Sequence, residues 1–226
     1  MYQIITGPLL WLTFAVFFGG LAWRVYTYIK GLDWKLDRVA YGYHTASGVK
    51  GAVSSILAWI VPFNSQGWKV KPIFTILFFT FHVGLVVAPL FLAGHAVVLK
   101  MRFGLNWPTI PMLAADILTV AMICAGVFII IRRISLPEVR IITSLYDYLL
   151  LVITLAPFVT GFMVVHQMGG DTQFWLLAHV IAGEIMLLAV PFTKLFHVVG
   201  FFLSRGQLGM DYGIKRGGLT GAPMAW

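Results

Sequence analysis

Six histidines stand in this 226-residue chain, and four of them, His82, His95, His179 and His197, fall in stretches apolar enough to lie in lipid. Polar rings are costly in that setting, so each needs a partner, and a functional site is the default expectation. The stretch "FHVGLVVAPLFLAGH" opens on His82, closes on His95 and carries no other ionisable side chain. Imidazoles facing one another from neighbouring helices are what a low-spin haem iron takes as axial ligands, and helix-bundle cores are where such sites are built. A ring that binds iron also ceases to be an unpaired polar group.

The elements that must hold these rings are membrane helices. Hydrophobic residues make up 60% of the chain, charged residues 11%, and mean hydropathy is +0.90; a soluble domain carries about a quarter charged residues. A span needs about 20 mostly apolar residues, and five stretches qualify, at 5–29, 72–99, 110–131, 141–165 and 173–203. No alternation of barrel-strand length is present, so the expected fold is an all-α integral membrane protein. It is a five-transmembrane-helix bundle forming a single domain over 1–226, with a cytoplasmic loop at 30–71 and a cytoplasmic tail at 204–226. The N-terminus has no basic region and no small-residue cleavage site, and reads as a retained first span. Within the loop, "GVKGAVSSILAWIVPF" reads as a short interfacial helix ended near Pro62.

The net charge of +8 is a topology signal. Arg24, Lys30, Lys35, Arg38, Lys50, Lys69 and Lys71 lie at the end of span one or before span two. Arg132, Arg133 and Arg140 lie between spans three and four, and Arg205, Lys215 and Arg216 follow span five. The other side has Lys100 and Arg102. The positive-inside rule puts the N-terminus outside and the C-terminus in the cytoplasm of a prokaryotic cytoplasmic (inner) membrane, with lipid as the surroundings and no nucleic-acid partner. The basic loop and tail read equally as a solvated face or as a docking surface for a cytoplasmic subunit. The single cysteine, Cys124, excludes an internal disulfide, a cysteine zinc site and a self-contained iron–sulfur cluster, and reads as a small buried apolar residue.

In this topology His82 and His197 lie toward the inner face, His95 and His179 toward the outer. The expected cofactors are therefore two haem b groups, His82 and His197 ligating the inner iron and His95 and His179 the outer. His179 and His197 are 18 residues apart, five turns and about 27 Å of helix. His82 and His95 are 13 apart, about 19.5 Å and roughly 140° out of phase on an ideal helix, with Pro89 between them to kink it. Glu184 in span five suits either a proton acceptor or a helix-to-helix hydrogen bond. His166 and Asp171, at the end of span four, suit either that site or a solvent-facing loop. Asp116 is expected near water or beside a basic neighbour, and His44 on the surface.

"FHVG" and "GH" on span two, with the His179/His197 pair, resemble the cytochrome b membrane subunits of the respiratory nitrate reductase gamma type. Among these are the members in heterodisulfide-reductase-like, sulfite-reduction-associated and transmembrane tetrahaem-cytochrome complexes. The resemblance implies an electron-transfer subunit of an oxidoreductase complex. Its two haems carry electrons between a quinol/quinone site near the outer haem, where quinol is oxidised, and a cytoplasmic iron–sulfur partner. It matches Gly94 to a glycine beside the outer haem, and it offers Lys100 and Arg102 for a quinol-binding lysine, both closer to His95 than that pattern has it. Some relatives exchange electrons with a periplasmic multihaem cytochrome c instead. A small transporter or metal-ion channel using the same histidines is the reading from another class; the missing inverted repeat counts against it.

Overall fold

The computed structural model describes residues 2–32 and 44–215; Lys35, Arg38, Arg216 and the end of the tail lie outside them. The described residues form helices α1 (Ile5–Lys30, opening on a π-turn over Ile5–Leu9), α2 (Thr45–Ile60), α3 (Pro72–Phe91), α4 (Ala93–Phe103), α5 (Met112–Ser135), α6 (Leu145–Val165), α7 (Thr172–Phe192) and α8 (His197–Lys215). Five of them, α1, α3, α5, α6 and α7, are long and apolar enough to cross a membrane. Two of the expected spans end early. Span two stops at Phe91 rather than 99, because Leu92 is extended (φ −70°, ψ 134°) and α4 starts afresh at Ala93. Span five stops at Phe192 rather than 203. Thr193 is extended there, its Oγ1 donates to the carbonyl of Ala189 at 2.6 Å and accepts from the N–H of Leu195, and a short turn leads into α8. Both breaks fall just after a proline, Pro89 or Pro191, which removes a helical donor and crowds the preceding turn.

These breaks correct the helical counting. His82 and His95 are on different helices, so their phase mismatch on one helix disappears. His179 and His197 are also on different helices, and the five-turn count does not relate them. Cys124 is exposed on α5, not buried: its neighbours Ala125 and Gly126 hold the packed face, which leaves the thiol outward.

The chain forms two compact units. One is built on Ile76–Met186 with the residues up to Thr6, the other on Gly7–Thr75 and the chain from Leu187 onward. In the first, Phe81 and Ala88 of α3, Met122 and Ala125 of α5, and Leu155 and Phe158 of α6 make the apolar core. Here α3 comes close enough to α5 that a Cβ on Gly84 would sit 2.5 Å from that of Met122.

In the second unit, the loop helix α2 and the tail helix α8 pack together. Ser47, Gly51 and Ser55 recur every fourth residue on α2, as Gly209 and Gly213 do on α8, the small-residue spacing that lets helix backbones touch. A methyl on Gly51 would overlap the carbonyl oxygen of Gly209, and one on Gly209 would meet Cβ of Ser55 at 2.6 Å. Arg205 lies over the Trp59 ring at 4.3 Å, and Trp59 meets Trp68 edge-on. The loop and tail, each too small to fold alone, bury one another.

Gly206, one turn before Gly209, faces open space. Gly209→Ala is expected to cost about 1–3 kcal/mol by overpacking, lowering the thermal midpoint by roughly 3–10 °C. Gly206→Ala is expected to leave the midpoint unchanged or raise it slightly. Thermal melts of the two variants in one detergent test the contact.

Candidate functional site

His95 and His179 belong to the same unit, and their rings lie together. His95 is the third residue of α4, and its Nδ1 donates to the carbonyl of Pro89 at 2.7 Å, back across the break that ends α3. His179 projects from α7 toward α6, where its Nδ1 donates to the carbonyl of Pro157 at 2.8 Å. Gly161 makes that reach feasible, since a Cβ there would stand 2.9 Å from Cε1 of the His179 ring. The two ring centroids are 5.9 Å apart and the planes are within 9° of parallel. Two metal–imidazole bonds of about 2 Å each would hold two ligating rings roughly 6 Å apart, centroid to centroid.

The hydrogen bonds also fix which nitrogen is available. A carbonyl only accepts, so Nδ1 carries the proton and Nε2 carries the lone pair, the form in which a ring binds a metal while its other nitrogen is anchored. His82 and His197 also donate from Nδ1, His82 to the carbonyl of Phe78 at 2.8 Å and His197 to that of Lys194 at 2.9 Å. His82 belongs to the first unit, beside the rings of Phe78 and Phe81; His197 belongs to the second and opens α8. His166 differs: its Nε2 meets Oδ1 of Asp116 at 3.1 Å. His44 precedes α2, exposed and without a side-chain cap bond.

Gly94 adjoins His95, and Gly183 lies one turn after His179 on the same face of α7. A Cβ on either would meet nothing within 4 Å. The residues therefore fit a flat macrocycle: paired imidazoles of the right tautomer at ligating separation, with open space beside each. Among the described residues no three His, Cys, Asp or Glu side chains converge as a bare metal ion would need, whereas a haem asks the protein for axial ligands alone.

The other candidates separate. Lys100 and Arg102 are exposed on α4, and Arg102 donates to the carbonyl of Thr6 at 3.2 Å. Asp171 caps the start of α7 by accepting from the N–H groups of Gln173 and Phe174. Asp147 forms a capping box with Ser144. Glu184 is 5% exposed, and its Oε1 has no hydrogen-bond partner. Sequence reasoning missed Gly161, Gly183 and the Asp116–His166 pair. The position of Gly183 four residues after His179 was the only signal available for it.

No family model matches the chain, and no solved structure matches it. A relative from Nitratidesulfovibrio vulgaris (strain Hildenborough), whose name reads simply "Protein", is 57% identical over 223 residues, covering 99% of this chain and 98% of its own.

An orphaned buried oxygen costs about 1–3 kcal/mol. Glu184→Met, which removes it while filling the space, is accordingly expected to raise the thermal midpoint. A lower midpoint would mean that the carboxyl is held by a group that an apolar side chain cannot replace.

Proposed function

This chain belongs to one family with its Nitratidesulfovibrio vulgaris relative, and we propose that it is a dihaem cytochrome b subunit of a respiratory complex, similar to the nitrate reductase gamma type. The observation that carries the reading is the His95–His179 pair, near-parallel rings 5.9 Å apart with each Nδ1 anchored on a backbone carbonyl. His95 and His179 would hold the outer haem. His82 and His197 would hold the inner one, a reading supported by their depth in the sequence topology and by the same anchoring of Nδ1. When bound, haem b supplies a reversible one-electron iron couple.

The protein's part is positioning. The carbonyls of Pro89 and Pro157 fix ring orientation and raise the basicity of Nε2. Gly94 and Gly183 leave room for the macrocycle, and the apolar spans keep water from it. The chain would carry electrons across a prokaryotic cytoplasmic membrane to a cytoplasmic iron–sulfur subunit. The donor at the outer face would be quinol from the membrane pool or a periplasmic multihaem cytochrome c. Orientation follows from the basic residues of the α1–α3 loop, the α5–α6 turn and the tail.

The purified chain is expected to give a dithionite-reduced minus oxidised spectrum of b type, with two haems per chain by pyridine haemochrome. His95→Ala and His179→Ala should each lose the same haem, and Gly161→Val, which displaces the His179 ring, should weaken that haem alone. A folded chain with no haem absorbance would overturn the reading.

A further inference from the structure

Helix α2 packs the wrong way round for a helix in water. Its buried positions are Gly48, Gly51, Ser55 and Ala58, and the first three meet α8. Val49, Val53, Leu57 and Ile60 are turned away from that contact and stand 55%, 50%, 48% and 40% exposed. They recur at i, i+4, i+8 and i+11, a single stripe about 16 Å long. A water-facing helix packs its aliphatic side and shows its polar one. Small residues at the helix contact with branched aliphatic residues outside is the arrangement of helices that lipid surrounds.

Contacts within the second unit place this pair at the membrane boundary. The side chain of Pro191, at the end of α7, packs on Gly20 of α1. Beyond it Arg24 of α1 lies over the Phe196 ring at 4.7 Å, and the Tyr28 hydroxyl donates to Oε1 of Gln207 at 2.6 Å. From Phe196 to Gln207 the chain advances 11 residues, about 16 Å of helix, while the contacts on α1 advance from Arg24 to Tyr28, about 6 Å. Side chains lean toward the start of their own helix, so Tyr28 does not reach forward to close that gap. Helix α8 therefore crosses the end of α1 obliquely instead of continuing the direction of a span.

Helix α2 follows it in the opposite sense, Gly48 against Ile214, Gly51 against Gly209, and Trp59 beneath Arg205. The Trp59 end is fastened to a span as well. The carbonyl of Trp59 accepts from Nε1 of Trp68 at 3.2 Å, and that of Trp68 accepts from Oγ1 of Thr75, in the first turn of α3, at 2.8 Å. One end of the pair is thus held where α1 and α7 finish and α3 starts, and both helices run aside from there.

Charge indicates what covers the stripe. Residues 45–75 include Lys50, Lys69 and Lys71 and no Asp or Glu; all three lysines are exposed. Lys50 stands at the edge of the stripe, about 100° round the helix from Val49. The cytoplasmic leaflet is anionic and attracts such residues, and a lysine stem can pass along apolar residues to bring its ammonium to a phosphate. Apolar residues below and lysines at the rim match a helix lying in the headgroup layer.

We propose that α2 and α8 lie together along the cytoplasmic leaflet, with Val49, Val53, Leu57 and Ile60 set among the acyl chains and Lys50 at the anionic headgroups. Hydropathy suggests an interfacial place for α2 alone; the packing adds α8 to it and assigns the lipid-facing side. Because α8 opens on His197, the same arrangement holds that ring at the inner boundary. The proposal rests on the spans and their orientation and needs no haem.

The test is spin labelling of the full chain in nanodiscs of phosphatidylcholine and phosphatidylglycerol. A Cys124→Ala background removes the exposed native thiol. The reading is the logarithm of the ratio of collision rates with oxygen, which concentrates among acyl chains, and with a nickel chelate, which stays in water. Labels at Val49→Cys, Val53→Cys and Leu57→Cys are expected to give positive values and Lys50→Cys a negative one, with thermal midpoints near wild type. Ile60→Cys, on the same stripe, replaces any of the three that lowers the midpoint. Negative values at all positions overturn the proposal and mark the stripe as a water-facing surface open to a soluble partner. Low collision with both reagents along the stripe also overturns it, since another protein surface would then be covering the helix.

Discussion

A neutral imidazole has one nitrogen that donates and one that accepts, and in a bilayer neither finds water. That constraint organises this molecule. His82, His95, His179 and His197 all satisfy the Nδ1 donor on a backbone carbonyl. Two of these bonds are local, to the carbonyls four residues before His82 and three before His197, whereas His95 reaches back across a helix break and His179 across to another helix, and His166 bonds Asp116 through Nε2 instead. The uniformity belongs to the apolar histidines, and it is the pattern that metal-binding histidines require of their outer partners.

Two of those carbonyls belong to prolines, but a proline frees the carbonyl four residues before it and not its own, so what makes these two reachable is the break at Leu92 and the missing side chain of Gly161. In an unbroken helix each carbonyl already accepts from the N–H four residues on, and a side chain of the same helix can share it through the second lone pair, as His82 does with Phe78. Pro89 precedes the stop of α3, and with Leu92 extended its oxygen accepts from His95; the carbonyl of Phe91 accepts from the N–H of Ile110. Pro157 lies within α6, and its oxygen accepts from His179 across the α6–α7 packing. Glycine then sets the clearances in two opposite senses. At Gly161 its lack of a side chain admits the His179 ring against the helix; at Gly94 and Gly183 a Cβ would meet no neighbour.

The spans and their number were legible because twenty-residue apolar runs have few other uses, and the closeness of His95 to His179 followed from alternating their direction. The breaks at Leu92 and Thr193 were not legible. Both lie inside apolar runs, where hydropathy does not register a change of backbone, and a nearby proline is compatible with a kink as well as a stop. The His179 tautomer depends on a carbonyl 22 residues away, and the Asp116–His166 pair joins residues 50 apart. Those are facts of packing between helices, which spacing along one helix does not carry. The pairing of α2 with α8 was written in the sequence as small residues every fourth position, but its partners are a loop and a tail that hydropathy alone sets aside as solvated.

The division of labour among the polar groups follows from depth. Asp147 and Asp171 sit at helix starts, where free N–H groups satisfy a carboxylate. Asp116 sits at the boundary too, but on the side of α5 that faces α6, and it takes a histidine instead of backbone. Glu184 lies farther in, buried and with one oxygen unpartnered. Carboxylates that cap helices need no other purpose. Asp116 and Glu184, which cap nothing, lie in the same unit as the His95–His179 pair, and Asp211, inside α8, lies in the other, so among the described residues it is position along the helix, and not the unit, that separates capping from non-capping acids.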